Sequence, residues 1–391
     1  MKKCIVLGVT GGIAAFKACQ ITSDLVKKGY EVHVIMTKNA CEFVTPLTFE
    51  TLSKNKVSVD TFDRNFEYNV NHISLAHKAD LFVLAPASAN VIAKVANGIA
   101  DDMLTTTFLA CTCPKLICPA MNTNMLMNPI TQENIKRCEQ YGMKILESDS
   151  GYLACGDIGK GRLADVETIV EACEMMLVEA KVNKKILIST GSTREYLDPI
   201  RYLTNPASGK TGRALAKSAY QHGLDVTLVC GNCNMKPLPF IKTINVTSAN
   251  DMYEVIKNNA DAQDIIIMSS AVADYTPTNQ AVNKIKKDGQ QLVAELKPTV
   301  DILKYLGEHK KDNQVLVGYC METTNLLENA RGKLLRKNCD MIVANTISKD
   351  NLAFNQDDNI VTIVTKDEVN EFPSMSKENI AQVVIKKCLG E

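Results

Sequence analysis

No apolar run in this sequence is longer than a buried strand, whereas a membrane-spanning helix needs about 20 consecutive apolar residues. The opening Met1-Lys2-Lys3 leads straight into Cys4 to Val9, too short a run for a secretory leader, so a cytoplasmic protein away from any membrane is expected. A surplus of either charge is missing too: 44 basic residues face 44 acidic ones. That excludes the basic surface on which nonspecific nucleic-acid binding depends, while small anionic substrates, which need only a few local charges, stay open. A compact cysteine framework is also lacking. The 14 cysteines are scattered through apolar segments, as at Cys4, Cys19, Cys173 and Cys320, and free thiols are expected.

What is present is the grammar of an α/β protein, and 391 residues are enough for two domains of ordinary size. Lys2 to Val9 is an apolar, β-rich run ending in a glycine turn, Gly8 to Gly12. Ile13 to Lys28 follows as an amphipathic helix with Ile21, Leu25 and Val26 on one face, Gly29-Tyr30 ends it, and Glu31 to Thr37 is the next strand. The same unit restarts at Lys185 to Thr190, with a helix from Thr211 to His222 and a strand from Asp225 to Gly231. Further buried strands of the parallel type are expected at 80–85, 115–119, 264–269, 315–319 and 341–344. The spacing predicts two Rossmann-like, flavodoxin-like doubly wound domains, 1–180 and 184–391, divided within the polar stretch Glu179 to Lys184.

Two familiar nucleotide signatures are absent. The first turn, Gly8-Val9-Thr10-Gly11-Gly12-Ile13, lacks the spacing of the dinucleotide fingerprint, and the second strand ends in Thr37 where a nicotinamide site wants an acidic residue. An ordinary reductase is therefore disfavoured, and one phosphate on the helix N-terminus, near the Thr10 and Thr37 hydroxyls, suits a mononucleotide such as FMN. Ser208-Gly209-Lys210-Thr211 mimics the end of a P-loop, but Thr204 stands where its first glycine belongs.

The first half then shows, in order, Asn71-His72-Ile73-Ser74-Leu75-Ala76, Pro86-Ala87-Ser88-Ala89-Asn90, Asn97 to Thr106, Pro119-Ala120-Met121-Asn122 and Ala154-Cys155-Gly156-Asp157. Together these resemble the flavin-binding cysteine decarboxylase family over about residues 1 to 178. Loss of carbon dioxide from a cysteinyl carboxylate needs an electron sink, which oxidation of the thiol to a thioaldehyde by flavin provides. The resemblance implies an FMN site at Gly11, Thr37 and Ser88, with His72 assisting the oxidation, Asn122 holding the substrate carboxylate and Cys155 donating the last proton. Gly151, Gly156, Gly159 and Gly161 around Cys155 suit a mobile lid. Cys111, Cys113 and Cys118 have no partner histidines or second cysteine pair and are expected in the core. His33, His77, His222 and His309 are expected to be structural. Val91 and Leu126 depart from the family's usual threonine and aromatic residue.

In the second half, Thr190 to Gly212 with Thr193-Arg194-Glu195, Asp198-Pro199-Ile200-Arg201 and Asn205 to Gly209 resembles the phosphopantothenate-cysteine ligase family. Ala271 to Tyr275, Lys284 to Lys287, Asp301-Ile302-Leu303, Gly318-Tyr319, Glu322-Thr323, Lys333 and Lys337 extend the match to the C-terminus. The family's chemistry makes an acyl cytidylate from phosphopantothenate and CTP, and the cysteine amine then displaces CMP, with magnesium and lysines balancing the triphosphate. By resemblance, Met268, Ser269, Ser270, Asp274, Lys284, Val300, Asp301, Ile302, Leu303, Tyr319, Lys333 and Lys337 line the CTP site, and Arg201 and Asn205 hold the acyl intermediate. Ser192 and Val300 replace the family's usual glycine and proline. The two resemblances together imply a bifunctional enzyme of coenzyme A synthesis using FMN, Mg2+ and CTP, trimeric through the flavin half and dimeric through the ligase half. The alternative is a regulatory flavoprotein that kept the fold without the chemistry.

Overall fold

A computed structural model describes residues 2–62, 71–154, 156–178, 182–233, 235–287, 291–322, 325–346 and 358–391. Cys155, Thr323 and the first part of the expected boundary, 179–181, lie outside the described residues. The chain divides into two compact units, Met1–Leu177 and Val178–Glu391. Among the described residues no helix is long and apolar enough to cross a membrane.

The strands of the first unit are β1 (Cys4–Val9), β2 (Glu31–Met36), β3 (Leu81–Ala87), β4 (Lys115–Pro119) and β5 (Lys144–Ile145), with a hairpin of β6 (Asp149–Tyr152) and β7 (Ile158–Arg162). Its helices are α1 (Ala15–Lys27), α2 (Lys38–Cys41), α3 (Pro46–Ser53), α4 (Asn71–Lys78), α5 (Ala89–Ala96), α6 (Met103–Ala110), α7 (Thr123–Met127), α8 (Pro129–Gln140) and α9 (Val166–Met176). The sheet runs β2-β1-β3-β4-β5, all parallel. β1 and β3 are buried along their whole length because helices cover both faces, which is why they read as continuous apolar runs. Helix α1 buries Ala15, Ala18, Ile21, Thr22 and Leu25, one stripe at helical spacing. Complete burial of Ile21 and of Leu25 stabilises the unit by about 2 kcal/mol each, more than the exposed Lys28–Glu174 ion pair contributes. Cys111 and Cys118 are in the core and Cys113 packs against it, as expected.

The second unit contains β8 (Lys185–Thr190), β9 (Arg194–Tyr196), β10 (Tyr202–Thr204), β11 (Asp225–Cys230), β12 (Lys242–Asn245), β13 (Ile265–Met268), β14 (Tyr275–Pro277), β15 (Leu296–Pro298), β16 (Val315–Glu322), β17 (Met341–Thr346), β18 (Asp358–Thr365) and β19 (Val369–Ser376). Its helices are α10 (Lys210–Gln221), α11 (Ala249–Ala260), α12 (Ile302–His309), α13 (Leu326–Arg336) and α14 (Lys377–Leu389). The main sheet is ordered β12-β11-β8-β13-β16-β17-β18-β19, parallel as far as β17 and antiparallel beyond it. Both units are thus doubly wound, as the sequence predicts, and the order reverses between β1 and β3 in the first and between β8 and β13 in the second. The P-loop mimic is a packing device: Gly209 caps α10 at φ +80°, and a Cβ on Gly212 would lie 2.3 Å from Thr190 Cβ.

One cysteine pair is brought together: the side chains of Cys230, at the end of β11, and Cys233 approach each other where Asn232 and Ser192 exchange main-chain hydrogen bonds. The other described cysteines carry free thiols.

Candidate active site

The loops after β1 and β3 enclose a cavity of about 480 Å³, the size of a small-ligand pocket and at the position where a doubly wound sheet binds. Gly11, Gly12, Ser88 and Asn122 line it, with Ile13, Ala14, Met121, Met125 and Leu153 forming apolar walls. Gly12 opens onto free space, and the 13-residue helix α1 begins three residues later, so an anion here meets a helix N-terminus. Ser88 caps α5 by accepting from Val91 N–H at 3.4 Å. Val91 and Leu126, the two departures, are both buried, Val91 at the edge of an adjacent cavity.

Thr10 also lines this cavity. Its buried hydroxyl donates to the Pro86 carbonyl at 2.8 Å and accepts from Ser88 N–H at 2.9 Å, tying the β1 loop to the β3 loop. Thr37 caps α2 by accepting from Ala40 N–H at 3.2 Å, and faces an adjacent cavity shared by Gly11, Ser88 and Asp60. Gly11 is required by contact: an added Cβ would stand 2.5 Å from Asn39 Cβ and 3.0 Å from its carbonyl carbon. Gly11→Ala is expected to shift the start of α2 into both cavities, and the purified variant should lose its yellow colour, read from flavin absorbance per chain. Wild-type flavin content in that variant would remove Gly11 from the site.

The hairpin β6–β7 closes the other side. Gly159 and Gly161 are sites of close approach: added Cβ atoms would meet Thr123 Oγ1 at 2.4 Å and the Met121 carbonyl at 2.2 Å, and Met121 N–H donates to Gly161 O at 3.0 Å. These glycines let the hairpin lie directly on the Pro119–Asn122 turn. Asn122 sits where the two meet, its carbonyl accepting from Asn124 N–H at 2.8 Å and its amide donating to Asp157 at 3.3 Å. Two cations not singled out from sequence, Lys17 and Arg162, also line the cavity. Burial first, then the neighbouring Arg162 charge, push the Lys17 ammonium below its ordinary pKa. A hint was legible: Lys17 lies one helical turn after Ile13, directly above the glycine turn. His72, on α4 and half-buried, is not among the residues lining either cavity of its own unit.

In the second unit a cavity of about 590 Å³ lies past the ends of β13 and β16. It gathers Met268, Ser270, Asp274, Val300, Asp301, Ile302, Leu303, Tyr319, Lys333 and Lys337. Arg336 joins them, unflagged by the sequence because a charge near a helix end usually marks a solvated face. Spacing of three and four residues puts Lys333, Arg336 and Lys337 on one side of the end of α13, opposite the N-terminus of α12. Asp301 caps α12 through Lys304 N–H at 2.9 Å and pairs with Lys337. Burial opposes its ionisation, but the Lys337 hydrogen bond leads the effects that carry its pKa below the usual range. Lys333 donates to the Tyr319 carbonyl at 2.8 Å.

Ser269 and Lys284 are not among the lining residues. The Ser269 hydroxyl is spent on the Ser189 carbonyl at 2.6 Å, and Lys284 is exposed beside Ile285. The Arg201 guanidinium donates to Asp198 at 2.6 Å and to the Ile285 carbonyl at 3.0 Å, while Ile285 N–H reaches Asp198 at 3.1 Å. Burial works against the Asp198 charge, but main-chain donors from Arg201, Ile200 and Ile285 and the guanidinium hold its pKa down at about 2. Asn205 donates to the carbonyls of Ala271 at 3.4 Å and Val272 at 3.2 Å, bracing the loop to Asp274. Ser192, at the usual glycine position, donates to Asn232 O and accepts from Thr204.

Two doubly wound units, each with a ligand-sized cavity beyond its strand ends, define a two-domain α/β protein of the nucleotide-binding type. Residues 1–178 match the family model described as Flavoprotein, and residues 181–390 match that of the DNA/pantothenate metabolism flavoprotein C-terminal domain. The coenzyme A biosynthesis bifunctional protein CoaBC of Bacillus subtilis is 46% identical over 98% of this chain and 96% of its own length. The protein of that name from Vibrio parahaemolyticus is 41% identical over 98% and 97%. A crystal structure of the C-terminal domain of such a protein is 42% identical over 53% of this chain and 94% of its own, with a TM-score of 0.45. The chain belongs to the family of coenzyme A biosynthesis bifunctional proteins.

Proposed function

We propose that the second unit joins phosphopantothenate to cysteine at the expense of CTP and that the first decarboxylates the product with FMN. The observation that carries this is the contrast between the cavities: the first is apolar-walled with a helix N-terminus and two cations at its edge, the second sets three cations against another helix N-terminus. The alternative of a regulatory flavoprotein is not favoured, since the relatives matched end to end are biosynthetic proteins.

In the second unit, Lys333, Arg336, Lys337 and the α12 N-terminus hold the triphosphate, with Mg2+ sharing the charge balance. The substrate carboxylate attacks the α-phosphate, pyrophosphate leaves, and the cysteine amine then displaces CMP. Arg201 and Asn205 act on the acyl intermediate from the Asp198–Ile285 and Ala271–Asp274 loops, and Lys284 approaches the phosphates from the first of these. In the first unit, Gly11, Gly12, Ser88 and Thr37 would hold FMN, which when bound would take up two electrons from the substrate and later return them. Asn122 orients the substrate carboxylate, Lys17 and Arg162 neutralise its phosphate, and Cys155 gives the last proton. His72, missing from its own unit's cavity, serves that of a neighbouring copy in a trimer, while the ligase units pair as dimers.

The test follows pyrophosphate and carbon dioxide separately in a mixture of pure protein, phosphopantothenate, cysteine, CTP and Mg2+. Lys284→Gln should abolish pyrophosphate release and leave decarboxylation of supplied phosphopantothenoylcysteine normal. Cys155→Ser should still release carbon dioxide but accumulate the enethiol, because a hydroxyl is far less acidic than a thiol. Coupled loss of both activities in either variant would overturn the division of labour.

A further inference from the structure

At the opposite end of β1 from the flavin cavity, three metal-ligating side chains converge. Cys4 stands opposite Glu31 in the β1–β2 register and His33 is two residues further along β2, so all three side chains share one face of the sheet. The Cys4 sulfur, a Glu31 carboxylate oxygen and a His33 ring nitrogen all lie within 4.8 Å of one another. His33 Nε2 is 3.0 Å from Glu31 Oε1. A cation already sits there: Lys78, at the end of α4, reaches Glu31 Oε1 at 2.5 Å and His33 Nε2 at 3.3 Å. The face is not sealed, for the Lys78 side chain is about half exposed and can swing out, whereas Cys4 is buried.

We propose that Cys4, Glu31 and His33 form a binding site for a zinc-type divalent ion, with the Lys78 ammonium as its resident competitor. One thiolate, one imidazole and one carboxylate are a borderline-soft donor set, which suits Zn2+ rather than the oxygen-seeking Mg2+ or Ca2+. Three protein ligands leave one position for water. Binding costs the Cys4 proton, because only the thiolate ligates, and moves Lys78 into solvent. Asp80, just before β3, adds negative charge, accepting from Cys4 N–H at 2.7 Å and pairing with Lys3.

The experiment titrates the flavin-loaded protein with Co2+ as a spectroscopic stand-in and then displaces it with Zn2+. One equivalent should give a thiolate-to-metal charge-transfer band that Zn2+ abolishes. Cys4→Ser should remove the band, His33→Gln should weaken binding by roughly a hundredfold, and Lys78→Met should tighten it by roughly tenfold. Flavin absorbance and circular dichroism report the fold of each variant. Should Cys4→Ser fail to fold, the half-buried His33 and Lys78 keep the test decisive. A missing band, or one that His33→Gln and Lys78→Met leave unchanged, overturns the proposal, including the case in which other thiols take the metal.

Discussion

Replacing Lys337 with Gln is expected to lower CTP-dependent pyrophosphate release about a hundredfold, the scale on which one fixed donor to a developing oxyanion acts. In the ligand-free state Lys337 is paired with Asp301, which also caps α12, so the lysine is held at the helix end where a phosphate would be received. A triphosphate bound here would compete for that ammonium, and its charge would move onto the leaving pyrophosphate as an acyl cytidylate formed. The interaction therefore strengthens along the reaction, and kcat should fall more than KM for CTP rises. Lys333→Gln should cost less, because that ammonium is also bound to the Tyr319 carbonyl and is shared between framework and ligand. Carbon dioxide release from supplied phosphopantothenoylcysteine should not change. A Lys337→Gln protein with unaltered pyrophosphate release would show that the cavity between α12 and α13 is not the triphosphate site.

The central parallel strands of both sheets were legible in the sequence because strands buried on two faces leave unbroken apolar runs, and the glycine turns fell where the strand order reverses, whereas β12 and the antiparallel β18 and β19 were not expected. The backbone role of individual side chains was not legible. Thr10 beside a glycine turn has the look of a phosphate ligand, yet its hydroxyl is consumed by Pro86 and Ser88, some 76 and 78 residues away. Gly159 and Gly161 suggest mobility, but they owe their identity to the Met121–Thr123 segment pressed against them. Sequence spacing cannot show such contacts, because the partner comes from another part of the chain. Lys17, Arg162 and Arg336 were hidden for a different reason: an isolated cation on a helix or at a strand end is ordinarily solvated, and only the folded chain shows that each lines a cavity. Ser269 shows the converse, a site residue by resemblance whose hydroxyl is taken up by the neighbouring strand.

His72 presents the sharpest mismatch between motif and geometry, and it leads to a result that no single-chain site can produce. The cavity that holds Asn122 has an apolar rim of Ile13 and Phe16, 58% and 59% exposed, surfaces of a kind that a second copy covers. If a trimer brings His72 of one copy to the Asn122 cavity of another, a chain carrying His72→Asn still supplies a sound cavity, and a chain carrying Asn122→Asp still supplies a sound histidine. Each homogeneous variant should be nearly inactive in decarboxylation: the first lacks its base, and the second turns a neutral amide into a charge that repels the substrate carboxylate. Mixed in equal amounts, dissociated and reassembled, they should regain about one quarter of the wild-type rate, because random assembly pairs the two intact elements at one interface in four. Flavin content should stay that of the wild type throughout, which separates loss of chemistry from loss of cofactor. Activity in the mixture no higher than in either variant alone would place His72 and Asn122 of the same chain in one site, or remove His72 from the reaction, and either outcome defeats the shared-site reading.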